Sequence, residues 1–101
     1  MRKIEEAMCA AIKMRRNWRC DNTEVRIIEN NYLKCYTIEV YLHGNHIYKK
    51  HSSGTAMFTL ADLPTNTTIS RLRALGLNIC RRDNKPLYKG EYIDSNKWYT
   101  V

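Results

Sequence analysis

Two segments of the chain place their apolar residues at the spacing of an α-helix. In residues 3–14, with about 100° per residue, a stripe of apolar side chains falls within about 80° of the direction of Ile4: Ala7, Met8, Ala11, Ile12 and Met14. Two acidic residues lie in its first turn and three basic residues in its last turn, which complements the helix dipole. In residues 68–75 the apolar stripe is about 120° wide, and Gly76 follows it. The pattern predicts an N-terminal helix that ends near residue 15 and a second, short helix with one buried face.

Short runs of β-branched and aromatic residues lie between and beyond these helices. Residues 34–42 alternate apolar with mixed side chains, which is typical of a strand with one buried face. The other predicted strands are residues 23–28, 46–50 and 55–61, and then 77–80 and 86–93, with a connector at 17–22 and a reversal at Lys89-Gly90. The predicted fold class is therefore α+β: an N-terminal helix, an antiparallel sheet of three or four strands, a second short helix, and one or two C-terminal strands.

The segment YLHGNHIY, residues 41–48, carries two histidines three positions apart. Gly44-Asn45 falls where the chain must reverse between two strands, and such pairs readily adopt positive φ. The pattern predicts a hairpin turn flanked by His43 and His46, with His51 in the next loop. A zinc site is the alternative, but zinc sites usually show a second ligand pair at standard spacing. We therefore predict no metal and no cofactor.

Length and composition limit the number of domains and the compartment. The 101 residues predict a single compact domain, residues 1–101. No apolar run approaches the roughly 20 residues that cross a bilayer, and the N-terminus lacks the apolar core of a secretion signal. We predict a cytoplasmic protein without a membrane span. No C-x-x-C pair occurs, so free thiols are predicted at all four cysteines, which are Cys9, Cys20, Cys35 and Cys80.

The net charge of +7 is unevenly distributed along the chain. Residues 1–20 contain six basic and two acidic groups, residues 21–70 contain four and five, and residues 71–101 contain seven and three. Both ends are therefore basic, and the middle is close to neutral. A basic surplus of this kind favours an anionic partner, either nucleic acid or an acidic protein surface.

The strongest candidate site is the segment KMRRNWR, residues 13–19, in which four cations surround one aromatic ring. Its candidate nucleic-acid-binding residues are Lys13, Arg15, Arg16, Trp18 and Arg19. The cations can neutralise phosphates, and the tryptophan can stack on a base. The alternative is a solvated helix end whose tryptophan packs on the core.

A second basic cluster lies near the C-terminus and includes Lys89; its candidate nucleic-acid-binding residues are Arg81, Arg82 and Lys85. Its position on the predicted C-terminal strands would allow it to extend the same nucleic-acid-binding surface.

Threonines also surround the predicted start of the second helix. Their hydroxyls and the free backbone N–H groups there can hold a phosphate. However, Arg71 and Arg73 lie near 200° and 40° from Ile69 around the helix axis, so they cannot form one patch on it, and capping by Thr65–Thr68 is favoured.

Two segments carry a resemblance to known proteins. Leu42-His43-Gly44-Asn45-His46-Ile47, and Thr67-Thr68-Ile69-Ser70-Arg71-Leu72 some twenty positions later, resemble a family of small tailed-bacteriophage proteins with Leu-His-Gly-Asn-x-Ile and Thr-Thr-x-x-Arg-Leu segments. The resemblance covers roughly residues 23–93. Many of those relatives carry a Gly-Trp pair before the threonines, where this chain has Ala61-Asp62-Leu63. The resemblance implies expression in the cytoplasm of an infected bacterial host and supplies no catalytic residues.

Two function classes follow from these observations. The first is a small basic phage accessory protein that binds nucleic acid non-specifically through phosphate contacts. The alternative is a phage-encoded inhibitor or modulator that binds an acidic host protein, for example a defence or nucleic-acid-processing protein, and a homodimer is possible in either case. No nucleophile or paired carboxylates are fixed near a base by their spacing, so we predict no enzymatic activity.

Overall fold

A computed structural model describes all 101 residues and places two helices on one face of an antiparallel sheet. The helices are α1 (Lys3–Lys13) and α2 (Asn66–Ala74). The strands, in chain order, are β1 (Trp18–Cys20), β2 (Thr23–Asn30), β3 (Cys35–Leu42), β4 (Asn45–His51), β5 (Ala56–Phe58), β6 (Ile79–Arg82), β7 (Lys85–Tyr88), β8 (Glu91–Tyr92) and β9 (Tyr99–Thr100). Six strands form one sheet in the order β1-β2-β3-β4-β5-β9, and β6-β7-β8 form a second, smaller sheet. Neither helix is long and apolar enough to cross a membrane.

The predicted α+β class and both predicted helices are confirmed, but the predicted number of strands is wrong. The main sheet has six strands rather than three or four, because the predicted connector at 17–22 contains β1 and because β9 adds to the far edge. The C-terminal region forms three strands of a separate sheet instead of one or two strands. Strands of two or three residues are too short to show a period-2 pattern, so tertiary pairing alone defines β1 and β9.

The main sheet has an inner face that packs on the helices and an open face that does not. Paired residues on neighbouring strands point to the same face, so Val25, Val40, Tyr48 and Phe58 share the inner face. Both helices contribute to the core there, which is a single cluster of 15 buried residues. The open face carries mainly polar and aromatic side chains from the alternate positions.

A β-bulge interrupts the alternation in β4. Val40 pairs with Tyr48, but Tyr41 pairs with His46, so Ile47 is the extra residue. Ile47 and Tyr48 are consecutive and both buried, which strict alternation would not permit. The bulge thus adds a large apolar side chain to the core.

The turn between β3 and β4 is a tight hairpin, as predicted, but its position was predicted one residue too late. The two central residues are His43 and Gly44, with φ of 51° and 78°, and Leu42 pairs with Asn45 across the turn. Two-residue hairpins of this kind need positive φ at both central positions. His43 therefore lies inside the turn, and Asn45 is the first residue of β4.

The two helices lie side by side and run in the same direction. Ser70 Oγ, in the middle of α2, donates to a carboxylate oxygen of Glu5 in the first turn of α1. Four residues further along each helix, Cys9 Sγ donates to the Ala74 carbonyl oxygen at 3.4 Å. The predicted capping of α2 is confirmed, since the Thr65 side chain accepts from the Thr68 N–H at 3.2 Å.

The smaller sheet joins the main sheet through aromatic side chains. The Phe58 ring of β5 meets the Tyr88 ring of β7 edge to face, with centroids 4.7 Å apart. The predicted reversal at Lys89-Gly90 is confirmed, since both residues have positive φ between β7 and β8.

Candidate nucleic-acid interface

A basic groove lies where the end of α1 meets the outer ends of β3 and β4. Ten residues line it, from Ile12 at the end of α1 to Gly54 after β4, and its volume is about 480 Å³. Three of them are the cations Lys13, Arg15 and Lys50, and none is acidic. We call this feature the α1 groove. It is a concave surface with a concentrated positive charge, which suits an anionic ligand.

The C-terminus of α1 ends in a motif that directs the arginines out of the helix. Arg15 has a φ of 50°, its N–H donates to the Ile12 carbonyl at 3.1 Å, and the Arg16 N–H donates to the Ala11 carbonyl at 2.9 Å. This is the Schellman pattern, which ends a helix at a left-handed residue. The Arg15 guanidinium consequently lies 4.7 Å from the ring centroid of Tyr36 on β3. Arg16 turns away and lines an adjoining depression that also contains Glu29.

The opposite wall of the α1 groove is the loop that follows β4. The Ser52 N–H donates to the Tyr36 carbonyl at 2.9 Å, and the Tyr36 N–H donates to Ser52 Oγ at 3.3 Å. The Ser53 N–H donates to His51 Nδ1 at 3.0 Å. These bonds fix the loop against β3, so the groove has a defined shape without a ligand.

Trp18 and Arg19 do not join the other predicted residues of the 13–19 segment. Trp18 pairs with Val25, lies on the inner face and packs against the core, which is the alternative that the sequence left open. Arg19 is the next residue of β1, so its side chain lies on the open face, opposite Glu24 of β2 in the strand register. Only Lys13 and Arg15 of the predicted segment line the α1 groove.

The second predicted cluster lies at the other end of the helix pair. Arg81 Nη1 donates to Asn66 Oδ1 at 3.0 Å, beside the first residue of α2. The end of α1 lies beyond Ala74, the last residue of α2, because Cys9 already contacts Ala74 and Lys13 is a further turn along the helix. The whole length of α2 therefore separates Arg81, Arg82 and Lys85 from the α1 groove, and the two clusters do not form one surface.

An aromatic ladder on the open face has no counterpart in the sequence prediction. The Tyr41 and His46 rings are stacked with centroids 4.7 Å apart, and the Trp98 ring meets His46 at 4.9 Å. Cations cover both ends, with the Arg26 guanidinium 4.2 Å from the Tyr41 centroid and Lys49 Nζ 4.6 Å from the Trp98 centroid. The period-2 pattern placed Tyr41 on the mixed face. Trp98 reaches His46 only because β9, which follows it directly, pairs with the edge of the sheet. Because neighbouring side chains cover the Tyr41 ring on both sides, it is not free to stack on a base.

Burial lowers the pKa of His46, and the nearby cations Lys49 and Arg26 act in the same direction, while Glu39 opposes them. His46 therefore takes up a proton less readily in the folded protein than in the unfolded chain, whose histidine pKa is about 6.5. The free energy of unfolding should fall as the pH is lowered from about 7.5 through 6.5 and into the lower pKa of the folded state. Denaturant unfolding across this range measures the effect. We expect His46→Gln to flatten the dependence and His43→Asn, in the exposed turn, to retain it; an unchanged slope in His46→Gln would contradict the assignment.

The three histidines have separate partners. His46 Nε2 lies 3.1 Å from the Tyr48 carbonyl oxygen, His51 binds Ser53, and His43 lies in the turn. No group of three or more histidine, cysteine, aspartate or glutamate side chains is arranged to hold a metal ion. All four cysteines have free thiols.

Comparison with known proteins identifies a family. Residues 1–100 match the family model described as Kyanoviridae Gp96 protein. No curated protein and no solved structure matches the chain. The small phage protein family that the sequence resemblance predicted is thereby supported, and the match extends over nearly the entire chain. This chain belongs to the Kyanoviridae Gp96 protein family.

Proposed function

We propose that this phage protein binds nucleic acid with little sequence preference, through phosphate contacts made at the α1 groove. The observation that carries the proposal is the composition of that groove: Lys13, Arg15 and Lys50 converge from two elements, and no carboxylate lines it. Phosphate contacts of this kind supply most of the affinity in non-specific binding. The net charge of +7 adds long-range attraction to the same partner.

The chemistry of the groove suits phosphate better than base edges. Arg15 offers several N–H donors in a planar fork, and the Tyr36 ring orients that fork from one side. Lysines contribute point charges at Lys13 and Lys50. Both helices pack their apolar faces on the sheet, so neither is presented as a free recognition helix for the major groove of DNA.

The test is the salt dependence of binding in two charge-matched variants. The first carries Lys13→Gln, Arg15→Gln and Lys50→Gln, which remove the cations of the α1 groove. The second is the control with glutamine at all three positions of the distant cluster, Arg81, Arg82 and Lys85. Both lose three charges, and both keep side chains of similar length.

If three groove cations contact phosphates, the plot of log affinity against log salt for duplex DNA should flatten by roughly 3 in the groove variant. The control should change the slope less, because its cations lie at the far end of α2. Equal effects in the two variants would show that only net charge matters, and undetectable binding by the unaltered protein at low salt would reject the function.

A second candidate function is binding to a host protein, as an inhibitor or modulator. It is favoured by exposed apolar side chains on β2 and in the loop that follows it: Ile28, Tyr32 and Leu33 are 51%, 93% and 65% exposed. Exposed apolar groups that lie close together mark many protein interaction sites. In that case the cations would steer an acidic host surface toward this loop.

A further inference from the structure

Strands β2 and β3 continue past the core as a two-stranded arm, residues 26–37. No residue of this arm is buried, whereas Val25 and Ile38, which precede and follow it, belong to the core. The Leu33 N–H donates to Asn30 Oδ1 at 3.0 Å and closes the loop at the tip. Ile27 and Tyr36, at the base of the arm, still pack against the core, whereas residues 28–35 project beyond it.

Tyr32 is the most prominent side chain at the tip of the arm. Its exposed fraction is 93%, and its ring has no aromatic or cationic partner in the chain. Both ring faces are therefore free, in contrast to Tyr41 in the aromatic ladder and Trp18 on the core. A rigid aromatic ring with free faces is the group on which an unpaired base stacks.

The arm is continuous with the α1 groove. Tyr36 belongs to the arm and also lines the groove under Arg15, and Ile27 and Glu29 line the depression beside Arg16. Four positions separate Tyr32 from Tyr36, which is at most about 13 Å along a strand. One extended polymer could therefore contact the tip and the groove together.

Charge selects the polymer. The arm contains two cations, Arg26 and Lys34, and one carboxylate, Glu29, and the adjoining groove adds three cations and no carboxylate. An anionic partner with flat, unpaired rings matches both features, and single-stranded nucleic acid has both.

We propose that Tyr32 stacks on an unpaired base of a single-stranded nucleic acid whose phosphates occupy the α1 groove. The inference rests on the proposed function and adds its ligand class: single strands are preferred to duplexes, because a paired base presents no free face to the arm tip.

The experiment measures fluorescence anisotropy with a labelled oligothymidine and with a duplex of the same length. Tyr32→Ala should weaken single-strand binding by roughly 5- to 150-fold and leave duplex binding unchanged. Tyr32→Phe should bind like the unaltered protein, since it retains the ring. Tyr92→Ala, which removes another exposed tyrosine on the smaller sheet, is the matched control and should have no effect.

The outcomes separate this inference from the function on which it rests. If Tyr32→Ala keeps its single-strand affinity while the groove variant loses salt dependence, phosphate binding stands and the stacking assignment is overturned, which leaves the arm tip to a protein partner. An equal loss on both ligands would also overturn it. If the unaltered protein binds neither ligand at low salt, both proposals fail.

Discussion

Replacing Glu5 by alanine is expected to lower the free energy of unfolding by about 3–5 kcal/mol, because it leaves the Arg71 guanidinium buried without its counter-charge. Arg71 Nη1 lies 2.8 Å from Glu5 Oε2, and each side chain is only 4% exposed. The ion pair joins the first turn of α1 to the C-terminal half of α2. The other two ion pairs of the chain, Arg26 with Glu24 and Lys97 with Asp94, lie at the surface.

The surrounding hydrogen bonds account for the charged state of the pair. Burial opposes ionisation of Glu5, but hydrogen bonds from Ser70 and Arg71 outweigh it, so the pKa of the carboxyl lies below its ordinary value. Arg71 also donates from Nε to Thr23 Oγ1 at 3.0 Å and from Nη2 to Asn22 Oδ1 at 3.3 Å. Because the folded pKa is lowered, the stabilisation is present above the unfolded carboxyl value and is lost as the pH falls through the folded one.

Denaturant unfolding at neutral pH measures the Glu5 effect, with Glu6→Ala as the matched control. Glu6 is the next residue and is exposed, so its loss should change the free energy of unfolding by at most about 0.5 kcal/mol. The double variant with Glu5→Leu and Arg71→Met should be less destabilised than Glu5→Ala, because it removes both charges at once. If Glu5→Ala resembles Glu6→Ala, the pair does not stabilise the fold.

Sequence periodicity could locate both helices but could not pair Glu5 with Arg71. Sixty-six positions separate the two residues, and the helix geometry placed Arg71 at about 200° from Ile69, beside the apolar stripe rather than in it. The arginine is buried because a carboxylate from another helix meets it there. Such a contact depends on how α1 and α2 pack, which no local pattern contains.

The main sheet shows the same division between local and tertiary information. Strands β2 and β3 have eight residues each, and their β-branched and alternating side chains predict them from the sequence. Strands β1 and β9 have three and two residues, and their pairing partners define them. The bulge at Ile47 was equally hidden, because it depends on the register of β4 against β3.

The candidate site could be predicted only in part. Lys13 and Arg15 were predicted as a basic cluster, but Lys50 completes the α1 groove from a strand far along the chain. The predicted stacking residue, Trp18, packs on the core, whereas Tyr32 is free at the tip of an arm. A tyrosine between two asparagine residues and a leucine looks like an ordinary turn, so only the structure distinguishes it.

Phe58→Ala is expected to cost about 3–5 kcal/mol, because it empties a fully buried site at the junction of the two sheets. The centroid of the Phe58 ring lies 4.7 Å from that of Tyr88 in the smaller sheet and 5.8 Å from that of Tyr99 in β9. Its loss should therefore loosen β6, β7 and β8 more than the central strands. In the Phe58→Ala variant, the amides of Leu87 and Tyr88 should therefore exchange with solvent faster than in the unaltered protein. Their free energy of opening should fall below that of the Val40 amide.

The control for Phe58 is its neighbour Met57, whose side chain alternates to the open face and is only half buried. Met57→Ala should cost clearly less than Phe58→Ala and should leave the smaller sheet protected. A double-mutant cycle between Phe58→Leu and Tyr88→Leu should give a coupling of about 0.5–1.5 kcal/mol for the edge-to-face pair. A coupling near zero, together with uniform loss of protection in both sheets, would show that Phe58 fills the core without joining the smaller sheet to it.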